Sequence, residues 1–370
     1  MIRKHSTVKL LLIIALLMAG CTAPSATPVA ESPASATEAP TAAPAEPTAA
    51  PAEATSAPTA AEAIKVAVVF ASSGLGDKSF NDSLYAGVDQ ASKELNITWK
   101  YAEPNSDSEY EVYLRQFAQS GDYKLIISNG YSQGSSLEKV APEFPDQNFM
   151  IVDTEVDQPN VASYGYKSEE AAYLAGIVAG LATKDTSIPN INDQNVIGFV
   201  GGMDIPLIQA FAAGFKGGAL SVNPDVTVLI SYVGSWADPA KAKELALSQF
   251  QQGADIVYQV ASQGGLGVIE GAKQSGYLAI GQDDNQNALA PDNMLLSVLK
   301  RIDNTGALAL KETVDGTWQP GVHNLGLAEG GVDITNEDSN VKIPDSIMAE
   351  VEKARQSIIS GELTVPTTLQ

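Results

Sequence analysis

From residue 64 onward, short apolar runs alternate with longer stretches whose apolar positions recur every three or four residues. Short runs suit buried strands, and the longer periodic stretches suit helices with one buried face. Strands are predicted over Lys65–Phe70, Ile97–Tyr101, Lys124–Ser128, Asn148–Val152, Val196–Val200, Thr227–Tyr232, Ile256–Val260 and Leu278–Gly281. Helices are predicted over Ser79–Glu94, Ser108–Gln119, Gly134–Ala141, Ser168–Thr183, Pro206–Leu220, Pro239–Gln252, Gly265–Ser275 and Ser297–Val314. Such alternation implies βαβ units and parallel sheets, an α/β fold. So many strands exceed one modest sheet, so two lobes are expected. The chain is expected to cross between them near Ser163–Lys167, near Asn287–Leu295 and near Pro320–Asn324. The first lobe would then hold 64–166 plus about 291–322, and the second 167–290 plus about 323–370.

The first strand leads into Ser72-Ser73-Gly74-Leu75-Gly76-Asp77-Lys78-Ser79-Phe80-Asn81-Asp82-Ser83. A Gly-rich turn between a strand and a helix start is where open α/β sheets bind small molecules. This turn also carries an aromatic ring beside several polar side chains, which suits a flat ligand with a polar edge.

Three other turns invite chemistry. Gly130-Tyr131-Ser132-Gln133-Gly134 matches the GxSxG nucleophile elbow and lies between a strand and a helix. A Ser132 hydrolase would need a histidine, and only His5 and His323 exist. No HGGG-type oxyanion segment precedes the motif, so a ligand-lining or structural turn is the stronger reading. Gly264-Gly265-Leu266-Gly267 opens a helix, but Glu270 occupies the third glycine position of a dinucleotide fingerprint, so no cofactor is inferred. In Gly281-Gln282-Asp283-Asp284-Asn285-Gln286-Asn287 the spacing excludes an EF-hand. A carboxylate at such a strand end suits neighbouring hydroxyls, because it accepts two charge-assisted hydrogen bonds at once. Asp153 holds the equivalent place in the first half; a solvated turn is the alternative for both. Phe80, Phe211, Phe215 and Trp236 fall in or beside these loops, as ring stackers or as core.

Composition narrows the partners. The formal net charge of -22 argues against nucleic acid, which is held by clustered Lys and Arg. Arg3, Lys4 and Lys9 precede an apolar segment from Leu10 to Leu17 and then Met18-Ala19-Gly20-Cys21. That is the layout of a secretory signal over 1–20. Its end on the only cysteine resembles a bacterial lipobox, which makes Cys21 the expected lipidation site. A lone cysteine also excludes an intrachain disulfide and CxxC chemistry. From 21 to 63 the chain is almost all Ala, Pro, Thr, Ser and Glu, which cannot bury enough surface to offset ordering entropy. A disordered tether is expected, reaching on the order of 100 Å if extended at about 3.1 Å per residue.

Gly76-Asp77-Lys78-Ser79-Phe80-Asn81, the stretch Val196–Pro206 with Phe211-Ala212-Ala213-Gly214-Phe215, and Gly253–Val260 through Asp283 closely resemble the basic membrane lipoprotein family. These are substrate-binding lipoproteins of ABC transporters and include purine nucleoside receptors; the resemblance runs from Ile64 to the C-terminus. It implies a type I periplasmic-binding-protein fold, two Rossmann-like three-layer lobes with a ligand cleft between, and no catalysis, cofactor or metal. By similarity Phe80 and Phe211 would sandwich a base, with Asp77 and Asn81 at its polar edge. Asp153 and Asp283 would take the ribose hydroxyls, helped by Gly264 or Gly265 backbone and Lys300, while Trp236 would close the cleft. Ser72-Ser73 stand where relatives commonly have an acidic residue. The implied protein is a membrane-anchored extracytoplasmic monomer that hands a nucleoside, purine by preference, to a permease. A sensory or sugar-binding lipoprotein of the same fold is the alternative.

Overall fold

The computed structural model describes residues 63–369; the expected signal segment, the expected lipidation site Cys21 and the expected tether up to residue 62 lie outside the described residues. The chain begins with β1 (Ile64–Val69), α1 (Phe80–Glu94), β2 (Ile97–Ala102), α2 (Tyr110–Ser120), β3 (Leu125–Ser128), α3 (Gly134–Val140), β4 (Asn148–Val152) and β5 (Val161–Tyr166). It continues through α4 (Ser168–Ala182), β6 (Val196–Gly201), α5 (Pro206–Val222), β7 (Thr227–Tyr232), α6 (Pro239–Gln251), β8 (Ala254–Val260), α7 (Gly265–Ser275) and β9 (Leu278–Asp283). Last come β10 (Met294–Lys300), α8 (Ile302–Asp315), β11 (Gly321–Leu325), β12 (Val332–Thr335) and α9 (Asp345–Ile359).

Two six-stranded sheets result, ordered β11-β5-β4-β3-β1-β2 and β12-β10-β9-β8-β6-β7. Every pairing is parallel except β10 with β12. The orders coincide when β1–β5 are laid on β6–β10, so the halves repeat one layout. Alternation along each strand divides its side chains between two faces. Val66 and Val68 join an apolar layer continuous with Ile197 and Phe199 of the second sheet. Ala67 and Val69 turn to a separate layer with Leu114 and Leu137 under α2 and α3.

The strand over Met294–Lys300 was expected as the start of a helix over Ser297–Val314. Leu295-Leu296-Ser297-Val298-Leu299 suits a buried strand or a buried helix equally, and pairing with β9 decides for the strand. Because β10 belongs to the second sheet, 291–300 does not lie in the first lobe as expected. The chain crosses at Lys300–Arg301 rather than near Asn287–Leu295. It returns to the second sheet only after β11, whose residues 323–325 had been placed in the second lobe. Val161–Tyr166, Gly321–Leu325, Val332–Thr335 and helix Asp345–Ile359 were not predicted.

At two crossings the backbone adopts the same conformation: Lys167 at φ -77 and ψ 63, Arg301 at φ -79 and ψ 57. Both lie near the inverse γ-turn minimum. The Lys167 N–H donates to Leu325 O and the Arg301 N–H to Gly331 O, each at 2.9 Å, so the outgoing and returning segments are bonded side by side.

Against the second sheet, α4 and α5 pack backbone to backbone. A Cβ on Gly218 would fall 2.0 Å from Tyr173 O, and one on Gly176 would fall 2.1 Å from Phe215 O. Gly218→Leu is therefore expected to cost about 3 kcal/mol or more, the upper range for overpacking. Urea denaturation of the variant against the wild type measures it, and an unchanged midpoint would contradict the packing.

Candidate functional site

The site forms where strands of both sheets end. Asp153 directly follows β4 and Asp283 ends β9, at corresponding places in the two halves. Both adopt positive φ, 70° and 71°. Non-glycine residues take this region sparingly, and such outliers cluster at ligand sites. The left-handed turn ends the strand and puts each carboxyl on the wall of a cleft of about 600 Å³, counted with its open mouth. Phe80, Phe211, Trp236, Lys300, Ser73, Tyr110 and Ser262 line the same space.

Lys300, the last residue of β10, is only 3% exposed. Its Nζ donates to Asp153 Oδ2 at 2.6 Å. The same ammonium lies 4.9 Å from the ring centre of Phe80, 5.3 Å from Tyr166 and 5.9 Å from Phe211. A cation over ring faces gains further stabilisation, which grows where water is excluded. Burial pushes the Asp153 carboxyl above its ordinary range, opposed by Lys300 and reinforced by Asp283. Among the described residues Asp153 Oδ1 has no hydrogen-bond partner, which leaves one buried acceptor on the cleft wall. Asp283 accepts from Ser79 Oγ at 2.6 Å and from Gln282 Nε2 at 2.8 Å.

Asp77 and Asn81, expected at the edge of a base, do not line the cleft. Asp77 is fully buried and accepts the backbone N–H groups of Ser79, Asn81 and Asp82, which satisfies the open end of α1. It also accepts the Ser262 hydroxyl at 3.0 Å, from the other lobe. Asn81 staples the turn: its Oδ1 accepts from Ala71 N and Asn129 Nδ2, and its Nδ2 donates to Ser73 Oγ and Gly74 O. Gly264 and Gly265 also serve packing. The Gly264 N–H is taken by Trp236 O at 2.9 Å, and a Cβ on Gly265 would fall 1.9 Å from Gln259 Oε1.

Sequence reasoning missed Ser79, Ser73 and Ser262, which join the lobes. Ser79 of the first lobe donates to Asp283 of the second, and Ser262 of the second donates to Asp77 and Ser73 of the first. Gln286 Nε2 adds a bond to Lys78 O at 2.8 Å. A signal was present in Ser262, a non-glycine residue at φ 51 in a strand-end turn, but φ is invisible without coordinates.

Ser132 lines the cleft mouth, but no triad forms on it. His323 lies in β11, three strand positions from β3, roughly 14 Å at about 4.8 Å per strand. Its ring is stacked on Tyr164 at 4.5 Å. Among the described residues no group of three or more His, Cys, Asp or Glu could hold a metal ion, and no helix is long and apolar enough to cross a membrane.

Comparison with known proteins agrees with this architecture. Residues 64–368 match the family model described as ABC transporter substrate-binding protein PnrA-like. The chain is 34% identical to the ABC transporter nucleoside-binding protein BmpA of Lactococcus lactis subsp. cremoris, covering 82% of this chain and 89% of that one. It is 32% identical to an uncharacterized lipoprotein of Pyrococcus abyssi, covering 81% and 79%. A crystal structure of an ABC transporter solute-binding protein from Aeropyrum pernix K1 superposes with a TM-score of 0.76 at 30% identity, covering 83% of this chain and 94% of that one. The fold is that of the type I periplasmic binding proteins.

Burial raises the Asp77 carboxyl from 3.8 to about 6, against the hydrogen bonds that lower it. Between those values the folded chain holds a proton that the unfolded chain has released. The contribution of Asp77 to stability therefore declines as pH rises from about 4 to about 6 and is constant above. Asp77→Asn should fall furthest below the wild type near about pH 4. The gap should narrow by no more than about 1.4 kcal/mol per pH unit toward neutrality. Urea denaturation of both proteins across that range measures the gap; widening with rising pH would contradict the assignment.

Proposed function

This chain belongs to the PnrA-like family of ABC transporter substrate-binding proteins, non-enzymatic receptors that work with a permease, and we propose that its cleft binds a nucleoside, purine by preference. The observation that carries the reading is the division of the cleft wall. Two strand-end carboxylates and a buried ammonium provide fixed acceptors and a donor for neighbouring hydroxyls. The faces of Phe80 and Phe211, with Trp236 beside them, provide stacking for a flat heterocycle at about 1–3 kcal/mol per face.

In this assignment Asp153 and Asp283 take the sugar hydroxyls and Lys300 supports them, while Phe80 and Phe211 hold the base. Binding requires exchange: a hydroxyl that reaches Asp283 competes with Ser79, and one that reaches Asp153 uses the unpartnered Oδ1. Ligand contacts from both lobes favour the closed form by the difference in affinity between closed and open states. Asp77, Asn81, Gly264 and Gly265 act by shaping the loops that present these groups. The protein is proposed to be anchored through Cys21 on the extracytoplasmic side, as a monomer, and to deliver its ligand to the permease.

Mass spectrometry of ligand extracted from the purified protein, followed by calorimetry with a nucleoside panel, free bases and free ribose, tests the reading. Nucleosides should bind; binding of ribose or another sugar alone would replace it with a sugar receptor. Asp283→Ala should weaken nucleoside binding roughly 100-fold, since a hydrogen bond to a charged group contributes about 1.5–3 kcal/mol. Free-base affinity should change much less. Loss of the Ser79 contact affects both ligands alike, so equal losses would refute the sugar role of Asp283.

A further inference from the structure

A second space of about 830 Å³, counted with open solvent, adjoins the cleft. Tyr131, Ser132 and Trp236 line both, so the two are continuous, whereas Asp153, Asp283 and Lys300 line only the inner one. The hydroxyl-binding groups therefore stand away from the shared wall, and a ligand held by them points its other end toward Tyr131 and Trp236. Beyond these rings the outer walls include Met203, Ile205 and Ala237. Its polar members are partly engaged already: Ser72 Oγ donates to Asp107 Oδ1 at 3.1 Å, and Ser235 Oγ accepts from Ala237 N at 3.1 Å. Among the described residues no Lys or Arg lines this space, and Asp107 gives it acidic character.

We infer that the outer space is a subsite for an uncharged, apolar or aromatic substituent on the base, so that the receptor accepts nucleosides extended at the edge remote from the sugar. This rests on the nucleoside reading. In adenosine the exocyclic amine at C6 lies across the base from the sugar. A ring carried there would meet the Tyr131 and Trp236 rings and the Met203 thioether, both favourable partners for an aromatic group. A phosphate-bearing extension would meet a carboxylate and no cation.

Calorimetry on the full chain with adenosine and N6-benzyladenosine tests the subsite. The benzyl derivative should bind no more than threefold weaker than adenosine, or tighter. Met203→Glu, which adds a charge to the outer wall at a residue outside the lining of the inner cleft, should weaken the derivative at least tenfold and adenosine less than twofold. A derivative bound 100-fold weaker than adenosine by the wild type overturns the subsite while leaving the nucleoside reading intact. So does a Met203→Glu loss equal for both ligands. Binding of neither compound, with another ligand class bound instead, overturns both readings.

Discussion

A buried ammonium shared between two lobes constrains this molecule more than any other group. An ion withdrawn from water costs several kcal/mol unless it is paired and surrounded by compensating groups. Lys300 meets that requirement with the Asp153 carboxylate and the faces of Phe80, Tyr166 and Phe211. Lys300 stands on the second sheet and Asp153 on the first, so the pair is complete only when the lobes meet. The ammonium at the end of β10 thus stands where the chain crosses between lobes and lies over both phenylalanines.

The remaining contacts across the cleft obey a reciprocal rule. Each lobe lends a serine hydroxyl to a carboxylate of the other, Ser79 to Asp283 and Ser262 to Asp77. The repeated layout also sets Asp153 and Asp283 at corresponding strand ends with nearly the same φ. Lys300 is what breaks the symmetry, and it gives the pocket one charged end. The Asp77 carboxylate shows that burial and ligand contact are different things: it is wholly buried, strongly shifted in its titration, and spent on its own backbone and on Ser262.

Much of the fold was legible because central parallel strands are continuous apolar runs; β3 and β8 are buried throughout. The strands beside the crossings between lobes were not. Gly321-Val322-His323-Asn324-Leu325 is half exposed and reads as loop, and Val161–Tyr166 is built around Ser163 and Gly165 rather than an apolar run. At the site, residue type singled out Phe80, Phe211, Asp153, Asp283, Lys300 and Trp236, all of which line one cleft. Asp77, Asn81 and the two glycines stand outside its lining. By pattern, facing outward and facing inward are equally open to a polar side chain near a ligand turn, and only the competition for helix-end N–H groups decides.

Lys167 and Arg301 share one backbone conformation, and each is bonded to the returning segment beside it. The third crossing, between Leu325 and Gly331, is bonded to both of the others, so the three connections form one hydrogen-bonded band between the lobes. A change of angle in any one of them must be shared by its neighbour or break a backbone hydrogen bond.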